Sequence, residues 1–308
     1  MGEEIYIATG TPTPPALENH AVLKVSGFTI VRNALKLDFP LEASLCSILP
    51  ICDEVVVNVG RSEDETLELV RGIDDPKIRI VETEWDMSQG NAVLAIETLR
   101  AMQHCGHPWG IYIQADEVLE EHGAVELARA IQRYDGDPKV EGLLVRYLHF
   151  YGGFDTIATH RRWYRREVRA VRLDPALDIR PYQDAQGFRV GPEHRKIRAR
   201  LTSAEMFHYG WARPAQALRQ KRELDRAMFP WRQSDPSMPL LAWVPGIRPF
   251  RRPHPAVARE WIAARRHDPA RIISPRRFRW RFFRYWISGL IERLTGIRVF
   301  EYRNYTIV

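Results

Sequence analysis

Gln114, Asp116 and Glu117 follow directly after the apolar run at residues 109–113. An apolar run that stops at amide and acidic groups is typical of a buried strand whose carboxyl end meets a ligand. Alternate residues of an extended strand share a face, so we expect Gln114 and Asp116 on one side and Glu117 on the other. Their hard oxygen atoms suit Mg²⁺ or Mn²⁺ better than Zn²⁺. The pattern therefore predicts a cation site that bridges to phosphates, and a solvated strand end is the structural alternative.

The segments before this motif alternate between strand-like and helix-like patterns. Their order is GFTIVRN, LEASLCSIL, DEVVVNVG, SEDETLELVRGI, KIRIVETEW, NAVLAIETLRAM and WGIYIQADE, which gives four strands separated by three helices. Alternation of this kind, with strands that are apolar throughout, predicts a mostly parallel sheet with helices on both faces. Ser62 and Glu65 have the spacing of a capping box and are expected to begin the second helix.

Polar side chains stand at the ends of other strands as well. Arg32 and Asn33 follow the first strand, and Asn58 follows the apolar run of the second. In an open α/β sheet the carboxyl ends of parallel strands meet at one edge, where ligands bind. We therefore expect these groups to lie near Asp116.

The second half of the chain predicts a helix at AVELARAIQRY, which the turn sequence DGDP ends, and a strand at GLLVRYLHFYGG. The segment WYRREVRAVRL alternates Arg with apolar residues and predicts an antiparallel edge strand. The predicted organisation is an irregular arm at residues 1–24, an α/β domain at 25–230 with halves at 25–122 and 123–230, and a basic, helical extension at 231–308.

The composition, with 45% hydrophobic and 27% charged residues, is typical of a soluble globular protein. Three cysteines without a C-x-x-C spacing argue against a disulfide framework or a zinc site and favour a reducing compartment. The first residues lack the basic and apolar regions of a secretory signal, and no run approaches the roughly 20 apolar residues of a membrane span. A cytoplasmic protein is therefore expected.

Positive charge is concentrated near the C-terminus. Residues 246–298 contain fourteen Arg and three acidic residues, whereas the whole chain has a net charge of only +6. Within this region, the segment 277–298 places apolar residues on one helical stripe and most of its Arg outside it. The predicted stripe comprises Phe282, Phe283, Trp286, Ile287, Leu290, Ile291 and Leu294. The pattern is typical of an interfacial helix on anionic lipid, and docking of the stripe on the body of the protein is the alternative.

Several segments together resemble the family-two glycosyltransferases of the GT-A fold. They are GFTIVRN, VVVNVGRSEDET and the strand ending in QADE, while PYQDAQGFR and HYGWARP are similar to segments of a bacterial subgroup. The resemblance covers residues 25–230 and implies a nucleotide-sugar-binding half followed by an acceptor half. Gln114 stands where the first Asp of the family's metal motif is usual, and Val59 and Gly60 stand in place of an Asp pair.

The resemblance implies roles for individual residues. Asp116 and His208 would bind Mn²⁺ or Mg²⁺, and Asp184 would be the catalytic base that takes the proton from the acceptor hydroxyl. Asp155 and Glu193 are the other candidates for the base. Structural alternatives are a turn residue for Asp184, a partly buried hydrogen-bonded side chain for His208 and a solvated loop charge for Arg213. The groups expected to bind the donor are Arg32, Asn33, Asn58, Asn91, Gln114, Asp116 and Arg213.

The expected function is metal-assisted transfer of a sugar from a nucleotide-sugar donor to an acceptor hydroxyl, with inversion at the anomeric carbon. The acceptor is expected to be a bacterial cell-surface glycan or a lipid-linked saccharide, and the basic helix suggests attachment to an anionic membrane surface. One alternative is a nucleotidyltransferase on a related fold, although the loop VRNALKLDF lacks the Gly that would help to hold a triphosphate. The other is an Arg-rich protein that binds membranes or nucleic acid, and the acidic body argues against nucleic acid.

Overall fold

The computed structural model describes residues 23–231, 239–266, 270, 272–273, 280–299 and 301–308. The arm predicted at residues 1–24 lies outside the described residues apart from its last two. Within the described ranges the chain forms a mixed sheet of thirteen strands, a separate pair of short strands, and helices packed on both faces of the sheet. The predicted α/β class is confirmed.

The order of elements matches the predicted alternation of strands and helices through the first half. The described strands are β1 (Val25–Val31), β2 (Glu54–Gly60), β3 (Ile78–Thr83), β4 (Trp109–Tyr112), β5 (Glu117–Leu119), β6 (Gly142–Tyr151), β7 (Thr156–Ala158), β8 (Arg166–Arg172), β9 (Ile179–Tyr182), β10 (Gly187–Val190), β11 (Arg195–Trp211), β12 (Leu241–Ala242), β13 (Ile247–Pro249), β14 (Ile272–Ile273) and β15 (Tyr305–Ile307). The described α-helices are α1 (Leu41–Ile48), α2 (Thr66–Arg71), α3 (Ala92–Gln103), α4 (Glu121–Tyr134), α5 (Ala215–Met228), α6 (Arg259–Arg265) and α7 (Trp280–Thr295).

The first four strands form the parallel part of the sheet. Their order is β3–β2–β1–β4, and each neighbouring pair is parallel. Every residue of β1 and β2 is buried, because α1 and α2 pack on one face of the sheet and α3 packs on the other. Strands covered on both faces are mostly apolar, which is the pattern that the sequence shows. The carboxyl ends of these strands form the edge where the candidate site lies.

β8 lies between β4 and β6 and is antiparallel to both. The predicted antiparallel direction is confirmed, but the predicted edge position is wrong. The strand can be central because Arg169 is fully buried and forms an ion pair with Glu117, which is also fully buried. An Arg that alternates with apolar residues can point to solvent in an edge strand, or it can be buried with an acidic partner in a central strand.

β11 is 17 residues long and links the two parts of the sheet. It runs parallel to β6 and antiparallel to β5, and its first residues pair with β10 and β15. Because β5 follows closely after β4, the carboxyl end of β11 reaches the same edge of the sheet as the end of β4.

The extension predicted at residues 231–308 is built into the sheet of the body. β13 pairs with β7, and β15 pairs with β11. Arg165 of the body also lies 3.3 Å from Glu292 of α7 and 2.8 Å from Glu301. The strand pairs and ion pairs together fix α7 to the body. Among the described helices, none combines the length and the apolar content that crossing a bilayer requires.

Helix α2 begins differently from the predicted capping box at Ser62 and Glu65. The helix starts at Thr66, and Asp64 Oδ1 accepts a hydrogen bond from Thr66 N at 3.1 Å. Ser62 Oγ instead accepts a hydrogen bond from Asn33 N at 3.0 Å. The polar residues after β2 therefore fasten the loop after β1, next to the candidate site.

Candidate functional site

The chain turns at the QADE motif instead of continuing as a strand. β4 ends at Tyr112, and Glu117 N donates a hydrogen bond to Gln114 O at 2.9 Å, which closes a four-residue turn. The prediction that Gln114 and Asp116 share a face of an extended strand is therefore wrong. The Gln114 amide nitrogen lies 3.5 Å from the Tyr112 hydroxyl, whereas the Asp116 carboxylate contacts β11 and α5.

Glu117 fixes the shape of this turn from inside the protein. Its carboxylate accepts two hydrogen bonds from Arg169, at 2.9 and 3.0 Å, and one from the Tyr147 hydroxyl at 2.7 Å. It also accepts a hydrogen bond from Gln114 N at 3.1 Å. Because Glu117 and Arg169 are both fully buried, removal of either would leave an unpaired charge in the core. Of the two acids in this turn, Asp116 is therefore the one that faces the candidate site.

Asp116 lies among positively charged groups. Its Oδ2 atom is 2.6 Å from Arg213 Nη2, 3.6 Å from Lys221 Nζ and 3.6 Å from His208 Nε2. Burial alone would raise the pKa of Asp116, but the surrounding positive charge outweighs burial and holds this pKa below its ordinary value. The carboxylate is therefore ionised, and the two basic side chains beside it carry more charge than it can neutralise.

Arg213 and Lys221 are both held against aromatic rings. The Arg213 guanidinium lies 4.5 Å from the Phe39 ring centroid and donates a hydrogen bond to Leu37 O at 2.7 Å. The Lys221 ammonium lies 5.1 Å from the Trp211 ring centroid. In the described part of the chain, Arg213 Nε is buried without a hydrogen-bond partner. An unsatisfied buried donor beside an excess of positive charge suits an anionic ligand such as a phosphate.

β11 places His208 beside Asp116. In the antiparallel pairing of β11 with β5, His208 is opposite Glu117, and Tyr209 N donates a hydrogen bond to Asp116 O at 2.8 Å. A Cβ atom at Gly210 would lie 2.5 Å from His208 Nε2 and 2.8 Å from Asp116 Oδ2. Any side chain at position 210 would therefore displace one of these two groups.

A hydrogen bond between two histidines fixes the tautomer of His208. His149 Nε2 lies 2.7 Å from the backbone oxygen of Tyr164, which can only accept, so this nitrogen carries a proton. Burial lowers the pKa of both imidazoles, which leaves His149 Nδ1 as an unprotonated acceptor. His149 Nδ1 lies 3.0 Å from His208 Nδ1, which must then donate. The lone pair of His208 is consequently on Nε2, the nitrogen nearest to Asp116.

Asp116 and His208 form a donor pair that fits a divalent cation. A carboxylate oxygen and an unprotonated imidazole nitrogen lie 3.6 Å apart, and both are ligand types that Mn²⁺ accepts. The described side chains include no group of three or more His, Cys, Asp or Glu that could hold a metal ion. A cation at this pair would therefore need further oxygen ligands from water or a substrate, which is the usual situation for Mg²⁺ bound with phosphates.

Asp184 lies in the tight turn between β9 and β10. Its neighbour Ala185 has a positive φ of 55° and is buried in a cluster that also contains side chains of β1 and β4. Two residues after Asp184, Gln186 O accepts a hydrogen bond from Arg169 at 3.1 Å. Because Arg169 also holds Glu117, one guanidinium joins the Asp184 turn to the QADE turn.

Asp155 and Glu193, the other candidates for the base, are both exposed. Asp155 lies in the loop between β6 and β7. Glu193 lies in the turn before β11, whereas His208 is near the other end of that strand. Thirteen residues of extended chain separate Arg195 from His208, which corresponds to about 40 Å. Glu193 therefore lies far from Asp116, near the opposite end of β11.

Arg32 and Asn33 join the loop after β1 to the loop after β2. Asn33 Oδ1 accepts a hydrogen bond from Glu63 N at 2.8 Å, and Arg32 Nε donates to Arg61 O at 2.9 Å. Asn33 has a positive φ of 56°, which Asn adopts more readily than most residues. The structure places both residues at the expected edge of the sheet, where their polar groups hold the loops together.

Asn58 does not reach the edge of the sheet. It is fully buried within β2, and its amide nitrogen donates hydrogen bonds to the Glu97 backbone and side chain at 2.9 and 3.0 Å. Its amide oxygen accepts a hydrogen bond from Thr83 at 2.5 Å. Asn58 therefore fastens α3 to the sheet, and the geometry does not fit its predicted contact with the nucleotide. Asn91 precedes α3, is partly exposed and makes no side-chain cap hydrogen bond.

Three residues that shape the site were not found from the sequence. Lys221 is one of several charged residues in ALRQKRELDR, and nothing in that segment distinguishes it from its neighbours. His149 is a single polar residue in an apolar strand, which is a weak signal. Arg169 belongs to the segment that predicted an edge strand.

Comparison with family models found no match, and neither did comparison with curated proteins. Among solved structures, the chain is similar to S. aureus TarS 1–349, with a TM-score of 0.39 and 12% identity over 66% of this chain and 64% of that chain. For the complex of the same protein with UDP-GlcNAc, the TM-score is 0.32 and the identity 17%, over 42% and 35% of the two chains. For its complex with UDP, the values are 0.37 and 12%, over 66% and 64%. The chain thus spans less than two thirds of TarS 1–349, and a likeness this low carries no functional assignment.

Proposed function

We propose that this protein is a glycosyltransferase that moves a sugar from a nucleotide donor to an acceptor hydroxyl. The observation that carries the proposal is the cluster of Asp116, His208, Arg213 and Lys221 at the carboxyl edge of the sheet. This cluster combines a carboxylate and an imidazole that suit a metal with two cations that suit phosphates. Such a set of groups would stabilise the negative charge of a departing diphosphate. The carboxyl edge of parallel strands is also where ligands bind in open α/β sheets.

In the proposed reaction the acceptor hydroxyl oxygen attacks the anomeric carbon of the donor sugar. The new C–O bond forms as the bond to the diphosphate breaks, and the electron pair leaves with the diphosphate. Attack from the opposite face inverts the anomeric configuration. Asp184 takes the hydroxyl proton, a role supported by the link from its turn through Arg169 to the QADE turn. Arg213 and Lys221 offset the charge that develops on the leaving diphosphate.

The proposed cofactor is Mn²⁺ or Mg²⁺, which Asp116 and His208 would hold. When bound, it would neutralise negative charge on the diphosphate. The hydrogen bond from His208 to His149 supports this role, because it keeps a lone pair on His208 Nε2. In the free protein Arg213 and Lys221 neutralise Asp116, and donor binding would turn part of their charge toward the phosphates.

A thermal-shift screen of nucleoside diphosphates and nucleotide sugars, in Mn²⁺ and in EDTA, tests the proposal. A ligand that binds the native state raises the melting temperature, so we expect one nucleotide to give a shift that Mn²⁺ enlarges. Asp116→Asn should lose the metal-dependent part of that shift. Asp74→Asn makes the same change at an exposed position and should retain it. If no nucleotide shifts the wild-type protein in either buffer, the proposed function is refuted.

Helix α7 presents most of its large apolar side chains to solvent. Phe282 and Ser288 are buried, while Tyr285 and Glu292 are partly buried on the same side. The exposed large apolar residues of α7, named here the apolar stripe, are between 43 and 75% exposed and comprise Phe283, Trp286, Ile287, Leu290 and Leu294. The stripe is narrower than predicted, since Phe282 is buried and Ile291 is partly buried. The apolar stripe therefore faces solvent, which is opposite to the alternative in which it docks on the body of the protein.

We also infer that the apolar stripe rests on an anionic membrane surface, which would place the protein at the cytoplasmic face of a membrane. Exposed Arg284 and Arg293 on the same helix provide the charge complementarity. Co-sedimentation with vesicles should require phosphatidylglycerol in addition to phosphatidylcholine. Leu290→Ser with Leu294→Ser should lower binding at least tenfold, whereas Val125→Ser on α4 should leave it unchanged. Equal binding by the double variant and the control would refute this inference.

A further inference from the structure

A cavity of about 970 Å³ lies between α7 and the sheet. Its walls come from β6, β7, the segment before β8, the start of β13 and α7. The described residues that line it include none of those assigned to donor binding above. A cavity of this volume is large enough for a drug-sized ligand, so it is a second site beside the donor cluster.

The walls of this cavity carry an excess of positive charge. Among the described residues that line it are seven Arg and a single acid, Glu292. Glu292 is shared by Arg165 and Arg298, at 3.3 and 2.8 Å. Two acids outside the lining also pair with wall arginines, since Arg165 lies 2.8 Å from Glu301 and Arg146 lies 3.4 Å from Glu205. The other arginines in the wall are Arg161, Arg166, Arg248 and Arg293. Guanidinium groups in a partly enclosed space favour an anionic ligand, and they bind phosphate through charge-assisted hydrogen bonds.

The cavity lies directly beside the apolar stripe of α7. Trp286 and Leu290 line the cavity and also belong to the stripe, where they are 59% and 57% exposed. An anion without an apolar group would contact the cavity but not the apolar stripe. A ligand with an anionic head and an apolar chain can occupy the cavity and cover the stripe together.

The cavity and the donor cluster share a wall. His149 lines the cavity, and its Nδ1 atom lies 3.0 Å from His208 Nδ1. Tyr147 also lines the cavity, and its hydroxyl donates a hydrogen bond to Glu117 at 2.7 Å. A ligand in the cavity would therefore lie one layer of side chains from the residues proposed to hold the donor.

We propose that this cavity binds the phosphate or diphosphate head group of a lipid-linked acceptor, with the lipid chain lying along the apolar stripe. The assignment as an acceptor rests on the proposed function, whereas the cavity, its charge and the stripe are independent of it. The chemistry recognised is a phosphate ester on an apolar chain. The arginines bind the head, and α7 removes the first part of the chain from water.

Calorimetric titration with three soluble probes tests this proposal. Geranyl diphosphate carries both an anionic head and an apolar chain, inorganic pyrophosphate is the head alone, and geraniol is the chain alone. We expect geranyl diphosphate to bind at least tenfold more tightly than either partial probe, because burial of a few methylene groups is enough for that factor. Equal affinity for geranyl diphosphate and pyrophosphate would overturn the proposal, since the cavity would then be a site for free phosphates.

Gly289 offers a blocking variant that should fold normally. It lies in α7 and lines the cavity, and a Cβ atom added there meets nothing within 4 Å. Gly289→Trp should fill part of the cavity and weaken binding of geranyl diphosphate at least tenfold. Gly289→Ala is the matched control, because Ala favours a helix more than Gly does and leaves the cavity open. If the Trp variant binds geranyl diphosphate as tightly as the Ala variant, the proposal is wrong.

Nucleotide binding measured in the same variants separates this inference from the proposed function. The nucleoside diphosphate that binds in Mn²⁺ should have the same affinity for Gly289→Trp and Gly289→Ala. Loss of nucleotide binding in the Trp variant would overturn the inference, since the cavity would then be the donor site. Failure of every nucleotide to bind the wild type would refute the proposed function and leave the probe results standing, because those titrations contain neither nucleotide nor metal.

Discussion

Replacement of Lys221 by Gln removes one of the two cations beside Asp116 and should weaken donor binding. The ammonium lies 3.6 Å from Asp116 Oδ2, while Arg213 lies 2.6 Å from the same atom. In the donor complex we expect this ammonium to contact a phosphate oxygen. A hydrogen bond to a charged group contributes about 1.5–3 kcal/mol, so Kd for the nucleoside diphosphate should rise about 10- to 150-fold.

The same substitution should leave the fold nearly unchanged. Two unit charges about 4 Å apart interact by about 4 kcal/mol at an effective dielectric constant of 20. Most of that attraction is offset, because the Lys221 side chain is 21% exposed and its ammonium is partly desolvated in the fold. Asp116 also keeps its ion pair with Arg213. A net loss of about 1 kcal/mol would lower the melting temperature by about 2–4 °C for a chain of this size.

Calorimetric titration in Mn²⁺ and in EDTA measures the effect, with two control variants. Arg219→Gln removes a positive charge from an exposed position on the same helix and should bind the nucleotide like wild type. Lys221→Arg keeps the charge and should keep most of the affinity. If Lys221→Gln binds the nucleotide as tightly as Arg219→Gln in both buffers, the reasoning is refuted, because Lys221 would then serve only its ion pair with Asp116.

Three further changes test the base, the tautomer of His208 and a buried acid outside the site. Asp184→Asn should lower kcat at least about 100-fold without changing the Kd of the nucleotide, and an unchanged kcat would move the base to Asp155. His149→Leu removes the acceptor of His208 Nδ1, so Mn²⁺ affinity in the presence of nucleotide should fall about 10- to 100-fold, and unchanged affinity would contradict the tautomer assignment. Burial raises the pKa of Glu167 from 4.5 to about 7. The protonated carboxyl group therefore contributes its full stability to the fold below pH 4.5, and this contribution is lost as the pH rises through 7. The unfolding free energy of Glu167→Gln relative to wild type should therefore rise by up to about 3 kcal/mol between pH 5 and 8. If urea unfolding gives the same difference at every pH, this titration is excluded.

The parallel part of the sheet could be predicted because its pattern is local. β1 and β2 are buried on both faces, and a mostly apolar run between helix-like segments has few other interpretations. The position of β8 could not be predicted in the same way. Its alternation is explained by the pairing of Arg169 with Glu117, residues that are 52 positions apart. Only the fold shows that this Arg points into the protein.

The members of the candidate cluster could be predicted in part, but their geometry could not. Asp116, His208 and Arg213 come together as the sequence led us to expect, since each follows or ends a strand that reaches one edge of the sheet. The prediction that Gln114 and Asp116 share a face is wrong, because a turn that is closed by one backbone hydrogen bond replaces the extended chain. Lys221 was missed because the charges of α5 look alike in sequence, and only the packing of the helix shows which one reaches Asp116.

The pairing of β6 with β11 explains why the cavity and the donor cluster are neighbours. His149 and His208 are partners in the register of these parallel strands, so the hydrogen bond between their imidazoles joins adjacent strands. One imidazole forms part of the cavity wall, and the other lies against Asp116. Substitution of His149 should therefore disturb both sites at once. Gly289 lines the cavity, and Lys221 contacts Asp116 of the donor cluster, so variants at the three positions together separate the two sites from the hydrogen bond that connects them.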